Sequence, residues 1–431
     1  MRVLVVGSGG REHALIWKIA QSPKLSALHA APGSDAIGEL ATCHPETKAN
    51  DLDGLVALAQ SERIDLVVVG PEDPLAAGLS DRLREKGIAT FGPSAAAAQL
   101  EGSKAFAKAF MDRHAIPTAA HAVFESPEDA KAYVKKIARP CVVKADGLAA
   151  GKGVAMCEDA AAAETAIDEM MSERRFGDAG ARVVVEEWLR GEEASYYAIT
   201  DGERLVTLAA AQDHKRALDG DEGENTGGMG AYSPTPLVSE AVEQKILERV
   251  VHPTIQGMAS EGMPYQGVLF VGLMIDAAGD PFVIEFNVRF GDPETQPLLA
   301  RMEGDLLALL DSAARGELDE AMELGWGDAA VCVVLASGGY PRSYETGKAI
   351  SGLEGLADDP NLVVFHAGTK RSAADTTFET AGGRVLGITA RGGSIEEACK
   401  RAYAAVDRID FEGAHFRRDI AARALRAPTE S

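Results

Sequence analysis

At 431 residues the chain exceeds what a single hydrophobic core serves, so two to four domains are expected. With 46% hydrophobic and 25% charged residues, the composition argues against extensive disorder. The formal charge of -23, from 43 basic and 66 acidic residues, argues against a nucleic-acid partner, so any phosphorylated ligand must meet local backbone N–H, Lys or Arg.

Five cysteines (Cys43, Cys141, Cys157, Cys332, Cys399) lie far apart without a CxxC pair. That pattern points to a reducing compartment rather than disulfides or structural zinc. No apolar run approaches the roughly 20 residues that span a bilayer, and no basic-plus-apolar signal region precedes Val3–Val6. The expectation is a soluble, cytoplasmic protein.

In chain order, Met1–Val6 reads as a strand, followed by a Gly-rich turn and a helix through Ala20. Asp65–Val69 and Ile88–Phe91 read as buried strands ending at Gly70-Pro71 and Gly92-Pro93. This βαβ alternation predicts an open parallel α/β sheet with ligands at the carboxyl ends of its strands, where Gly7–Gly10, Gly70–Asp73 and Gly92–Ser94 fall. From about Ser103 the texture becomes α+β. Lys104–His114 and Ala130–Ile137 read as helices, and Cys141–Ala145, Arg182–Trp188, Ala194–Thr200 and Arg204–Ala211 as strands. Gly267–Ile275 and Pro281–Asn287 read as a hairpin. The last segment has strands at Ala329–Ala336, Leu362–Ala367 and Arg384–Thr389 and a helix at Ile395–Val406, a small C-terminal α/β domain.

The turn Gly7-Ser8-Gly9-Gly10-Arg11-Glu12 opens like a dinucleotide motif, but Glu12 fills the third glycine position, where a large side chain impedes close helix–strand packing. What remains is a structural turn, or a helix N-terminus that meets one phosphate. The loop from Lys144 through Gly147, Gly151, Lys152 and Gly153 is not a Walker A loop, because Gly153 stands where a Ser or Thr would hold Mg²⁺. A strand ending at Lys144 before a Gly/Ala loop suits a flap over nucleotide phosphates; the plainer alternative is a mobile surface hairpin.

Val183–Leu189 runs into Gly191-Glu192-Glu193. Its backbone at Trp188–Leu189 suits adenine and Glu193 suits ribose hydroxyls, although taken alone two surface acids at a strand end are the simpler reading. Within Phe282–Asn287, period two sets Glu285 and Asn287 on one face, a carboxylate beside an amide oxygen, as suits Mg²⁺ bridging phosphate oxygens. Arg289 reads as continuing that face, where a guanidinium neutralises a transferring phosphoryl group. Gln212–Arg216 and Asn225–Ala231 bracket a polar loop that is either disordered or substrate-closing. Within it His214 reads as a binding or positioning group rather than a base.

GSGGREHA at the start, LEGSKAFAKAF at 100–110, KADGLAAGKGV at 144–154, VEEWLRGEEAS, QDHKR, NTGGMGAYSP and IEFNVRFGDPE occur in that order. Together they resemble the ATP-grasp superfamily and, within it, the glycinamide ribonucleotide synthetase family, over nearly the whole chain. The resemblance implies ligation of glycine to 5-phosphoribosylamine with ATP and Mg²⁺ or Mn²⁺, by a monomer acting on small molecules alone. It implies an N-terminal Rossmann-like domain (1–103) for the phosphoribosyl group, ATP-grasp domains (104–327, with a flap at about 120–190) and a C-terminal cap (328–431).

By the same resemblance Lys104 and Lys144 meet nucleotide phosphates, covered by Gly147, Gly151, Lys152 and Gly153. Glu186, Glu187, Leu189 and Glu193 lie at the adenosine, and Glu285 and Asn287 hold the metal. Arg289 and Lys144 serve phosphoryl transfer, Asp213, Arg289 and Asp292 frame glycine, and Lys215 also binds substrate. Gly9, Gly10, Gly70, Pro71, Glu72, Pro93 and Ser94 receive the ribose 5-phosphate. The sequence departs from the family at Trp188, usually Phe, and at Glu224, usually Pro. The competing readings are another ATP-grasp carboxylate–amine ligase or carboxylase, and a nicotinamide-dependent oxidoreductase that Glu12 already weakens.

Overall fold

The computed structural model describes residues 1–149, 153–320, 322, 324–374 and 377–426. Strands β1 (Arg2–Gly7), β2 (Ala27–Pro32), β3 (Thr42–Cys43), β4 (Leu66–Val69) and β5 (Ala89–Phe91) form a parallel sheet in the order β3-β2-β1-β4-β5. Val3–Val6 are fully buried, as a parallel strand covered on both faces requires. The order reverses between β1 and β4, which sets the turns Gly7–Gly10 and Gly70–Glu72 side by side at the switch point. Strand β2 escapes a sequence reading because Ala-Leu-His-Ala-Ala-Pro contains no β-branched residue.

Ser103 caps the helix Lys104–Arg113, its Oγ accepting the Phe106 N–H at 3.1 Å. Two four-stranded antiparallel sheets follow. In the first, His121–Phe124, Val183–Glu187, Cys141–Ala145 and Val154–Cys157 lie in that order, with helices Pro127–Ile137 and Ala160–Ile167 packed against it. In the second the order is Leu205–Thr207, Glu192–Thr200, Gly267–Ile275, Pro281–Asn287. The expected strand Arg204–Ala211 is shorter than its apolar run, because the chain leaves this sheet after Thr207 so that Gln212–Asp213 can join another.

That other sheet is antiparallel, in the order Gln212–Asp213, Gly230–Ser233, Ala329–Ala336, Arg384–Gly392, Leu362–His366, and the helix Ile395–Val406 packs on it. Two of its five strands come from the central segment, so a boundary at 327/328 divides the sequence but not the sheet. The polar loop between Gln212 and Ala231 is folded rather than disordered; Arg216–Leu218 and Glu222–Asn225 pair within it as a short hairpin.

Candidate active site

The two central sheets, the helix Lys104–Arg113 and the C-terminal Arg423 and Arg426 enclose a cavity of about 930 Å³. The volume suits a small-molecule site. Lys104, Lys144, Gly153, Glu186, Glu187, Leu189, Glu193, Asp213, Lys215, Glu285, Asn287, Arg289, Asp292 and Glu72 all line it. Gly151 and Lys152 lie outside the described residues.

One wall is cationic. The strand Cys141–Ala145 carries Lys144 inward, and the Lys104–Arg113 helix presents Lys104 and Lys108 one turn apart on one side. Glu186 Oε2 accepts from Lys144 Nζ at 2.9 Å and from Lys108 Nζ at 3.1 Å, with all three side chains nearly buried. Burial pushes the Glu186 carboxyl up, but Lys144 and Lys108 outweigh it and hold it below the usual range. Burial holds Lys108 down at about 8, even with Glu186 favouring its charge. Lys144 Nζ also donates to Ile284 O at 3.1 Å, and Lys104 Nζ donates to Gly147 O at 3.2 Å, tying the start of the Gly/Ala loop to the helix. Glu186 therefore acts on the lysines as an anchor.

The facing wall is anionic. Lys215 Nζ lies 2.9 Å from Glu193 Oε2 and 3.5 Å from Glu285 Oε1, with Asp213 and Glu294 also in its field. Burial and then Glu294 push the Asp213 carboxyl well up, while Lys215 opposes them. At Glu285 the balance is reversed: burial raises it, but Lys215, Lys144, Lys104 and Arg289 together hold it at about 2. Residues 285–287 pair in regular register with 270–272, so Glu285 and Asn287 do share a face. Asn287 is nearly buried, and its amide nitrogen has no protein partner.

That pair fits a hard divalent cation: an ionised carboxylate, and an amide free to aim its oxygen. Among the described residues no trio of His, Cys, Asp or Glu forms a preformed metal cage, so phosphate oxygens would have to complete the shell.

Arg289 lies in the turn after the strand, which ends at Asn287, rather than on its face. It still reaches the cavity. Its Nε donates to Glu72 Oε2 at 3.1 Å, and its Nη2 lies 3.0 Å from Glu101 Oε1. Glu101 Oε2 accepts the Val288 N–H at 2.7 Å. Burial raises the Glu101 carboxyl to about 7 despite Arg289 beside it.

The glycines of the first turn sit at the margin. Glu12 is buried because Gly7 and Gly70 lack side chains; a Cβ on Gly70 would stand 2.3 Å from Glu12 Oε1. Its Oε2 accepts the Gly9 N–H at 2.7 Å, a donor that a dinucleotide pyrophosphate would need. Arg11 Nη1 donates to Phe290 O at 3.2 Å, drawing this turn against residues 289–292. There the Asp292 carboxylate accepts from Gln296 Nε2 and from Arg384 Nη2, each at 2.8 Å.

Pro71 caps the helix Glu72–Ala76, Ser94 Oγ accepts the Ala97 N–H at 3.2 Å, and Pro93 packs against Gly267. These three residues are occupied by local structure and do not line the cavity. His214 is buried, and desolvation then Arg423 and Arg417 hold its imidazole at about 3, neutral, which suits a positioning role and not a base. Lys108, Glu101, Glu294 and Arg384 were missed by sequence reasoning. Lys108 had a signal, its spacing of four from Lys104, and Glu101 and Glu294 stand inside the motifs at 100–110 and 284–294; Arg384 joins the site only through the fold.

Family models for phosphoribosylglycinamide synthetase match the N domain over residues 1–101, the ATP-grasp (A) domain over 102–295 and the C domain over 330–423. The chain is 52% identical over 426 residues to a phosphoribosylamine–glycine ligase of Allochromatium vinosum, covering 99% of each chain. The crystal structure of a Thermotoga maritima phosphoribosylamine–glycine ligase superposes with a TM-score of 0.86 at 35% identity, covering 98% of this chain and 100% of that one. The biotin carboxylase domain of Hydrogenobacter thermophilus 2-oxoglutarate carboxylase, at 16% identity and a TM-score of 0.74 over 96% and 91% of the two chains, shares the fold alone. Matched from its first residues to residue 423, the chain belongs to the phosphoribosylglycinamide synthetase family and has the ATP-grasp fold.

Proposed function

We propose that this chain uses ATP to join glycine to 5-phosphoribosylamine, giving glycinamide ribonucleotide, ADP and phosphate through glycyl phosphate, as a step of purine biosynthesis. The observation that carries the reading is the division of one cavity into a wall with Lys104, Lys108 and Lys144 and a wall with Asp213, Glu193, Glu285 and Glu294 around Lys215. A polyphosphate suits the first wall, and a divalent cation with a glycine ammonium suits the second.

In the first step a glycine carboxylate oxygen bonds to the γ-phosphorus as the bond to the β-phosphate oxygen breaks, and ADP leaves. In the second, the amine attacks the acyl carbon, the acyl C–O bond breaks, phosphate departs with its electron pair, and the nitrogen sheds a proton. Lys104 and Lys144 hold the phosphates, while Glu186 fixes the position of Lys144. Mg²⁺ or Mn²⁺ on Glu285 and Asn287, when bound, would neutralise phosphate oxygens. Arg289, kept cationic and aimed by Glu72 and Glu101, faces the transferring phosphoryl group.

Glu187 and the backbone at Leu189 take adenosine. Glu193, paired with Lys215 here, would exchange that partner for the ribose hydroxyls. Asp213 takes the glycine ammonium. The turn at Gly9–Gly10 and, at the β4 end, Gly70 and Glu72 receive the phosphoribosyl group. Gly147, whose carbonyl accepts from Lys104, stands beside the phosphates, and exclusion of water there keeps the anhydride from hydrolysis.

The test is phosphate release from ATP with glycine and freshly generated 5-phosphoribosylamine, added singly and together. Release that needs both, matched by equimolar glycinamide ribonucleotide in mass spectrometry, is the expected result. Hydroxylamine in place of the amine should trap glycine hydroxamate. Silence with both substrates present would sink the assigned reaction, and product without trappable hydroxamate would sink the intermediate.

A further inference from the structure

Asp292 stands where three parts of the chain meet. It follows the strand bearing Glu285 and Asn287, and its carboxylate oxygens lie 4.0 and 3.8 Å from where Cβ atoms on Gly9 and Gly10 would stand. From the other side comes Arg384, the first residue of the strand Arg384–Gly392.

The Arg384 guanidinium is spent on loops of the cavity. Nη2 donates to Asp292 Oδ2 at 2.8 Å, and Nη1 donates to Asp292 O at 2.6 Å and to Gly227 O at 2.5 Å. The Gly227 N–H in turn donates to the Tyr340 hydroxyl at 3.0 Å. Gly227 and Asp292 line the cavity, whereas Arg384 and Tyr340 stand behind it. A Cβ on Gly227 would sit 3.0 Å from Arg384 Cζ, so glycine at that position is what lets the guanidinium close. A cross-strand ion pair that served only the core would bind strand atoms; these acceptors all belong to two loops facing the substrate space. Only a planar fork meets a carboxylate and two carbonyls together; an ammonium does not.

We infer that Arg384, assisted by Tyr340, is a positioning residue of the acceptor site. It holds the Asp292 carboxylate against the Gly9–Gly10 turn, where Asp292 faces the amine of 5-phosphoribosylamine, and it fixes the Gly227–Gly228 loop as a wall of the pocket. The C-terminal segment thus completes the site instead of merely covering it. This inference rests on the ligation proposed above.

The experiment compares Arg384→Gln, Arg384→Lys and Tyr340→Phe in the full chain with the unaltered protein. It reads kcat/KM for 5-phosphoribosylamine, KM for glycine, the affinity of a fluorescent ATP analogue and the thermal midpoint. Misplacing Asp292 in Arg384→Gln should lower kcat/KM for the amine by on the order of 100-fold. Nucleotide affinity should stay within about twofold, since the contacts that carry it lie elsewhere. Arg384→Lys should recover little of the loss, because the fork and not the charge is required, and Tyr340→Phe should lose about severalfold.

Wild-type kcat/KM in Arg384→Gln would overturn the inference. So would parallel losses for amine and nucleotide, which mark a merely structural bridge. If Arg384→Gln does not fold, Arg384→Lys and Tyr340→Phe carry the same two criteria. An unaltered chain that makes no glycinamide ribonucleotide removes the ligation reading and this inference with it, whereas a competent one with indifferent variants removes the inference alone.

Discussion

Glu285 lies directly across the hairpin from Gly272, and its Cγ is only 3.1 Å from where a Cβ on that glycine would stand. The bare backbone opposite is what leaves the carboxylate its present place. Gly272→Ala should displace it by a few tenths of an ångström and raise the Mg²⁺ concentration for half-maximal activity by on the order of 10-fold. A Mg²⁺ titration of phosphate release checks this; an unchanged metal dependence means the carboxylate does not hold the metal.

Direct removal of either oxygen should act more strongly. Glu285→Ala or Asn287→Ala should abolish turnover or make it demand far more metal, with far-UV circular dichroism unchanged. Wild-type activity in both variants would end the metal assignment.

Glu186 is the anion that two nearly buried lysines share. Glu186→Gln leaves both cations without their direct ion-pair partner, and breaking a buried pair costs about 3 kcal/mol or more of stability. Urea unfolding at pH 7 measures the loss. ADP affinity should fall as well, since Lys144 loses its anchor, and undiminished affinity would show that Lys144 is held adequately by Ile284 O alone.

The Glu101 carboxyl holds its proton to about pH 7 in the folded chain, against 4.5 ordinarily. Between those values the folded state binds more protons than the unfolded one, so its contribution is fully present below about 4.5 and is lost as pH rises through about 7. The difference amounts to about 3 kcal/mol at most. Glu101→Gln should flatten the fall in stability between pH 5 and 7.5, read from urea midpoints at several pH values. A wild-type slope equal to the variant's would exclude Glu101 as its source.

Legibility in the sequence followed the range of the interaction. Val3–Val6, Cys141–Ala145 and Ile395–Val406 declare themselves by local periodicity, and the structure has all three. Glu285 and Asn287 share a face because strand pleating alone decides it. Arg289 was extrapolated one residue pair too far along the same strand, since nothing local announces that the ladder stops at Asn287. Glu12 looked like an obstacle to packing, and only the partner strand shows why it is not: Gly70, 58 positions on, supplies the missing space. Arg384 carries no motif at all, and Glu101 stands inside LEGSKAFAKAF without any local sign of its role. Each reaches the site through backbone placed by a different part of the chain, a distance in sequence that no spacing rule spans.

The sheet that mixes Gly230–Ser233 with Ala329–Ala336 has a consequence for how the molecule comes into being. As the chain leaves the ribosome, the strand that follows the cavity-lining residues Asn225–Gly227 has no neighbour on that side until some hundred further residues have emerged. Until then it is an open edge, able to pair wrongly. The cavity is therefore completed last in synthesis, after the final strand, when Arg423 and Arg426 reach it. A nascent chain stalled or clipped before that point would hold a nucleotide cleft without the grip that finishes it.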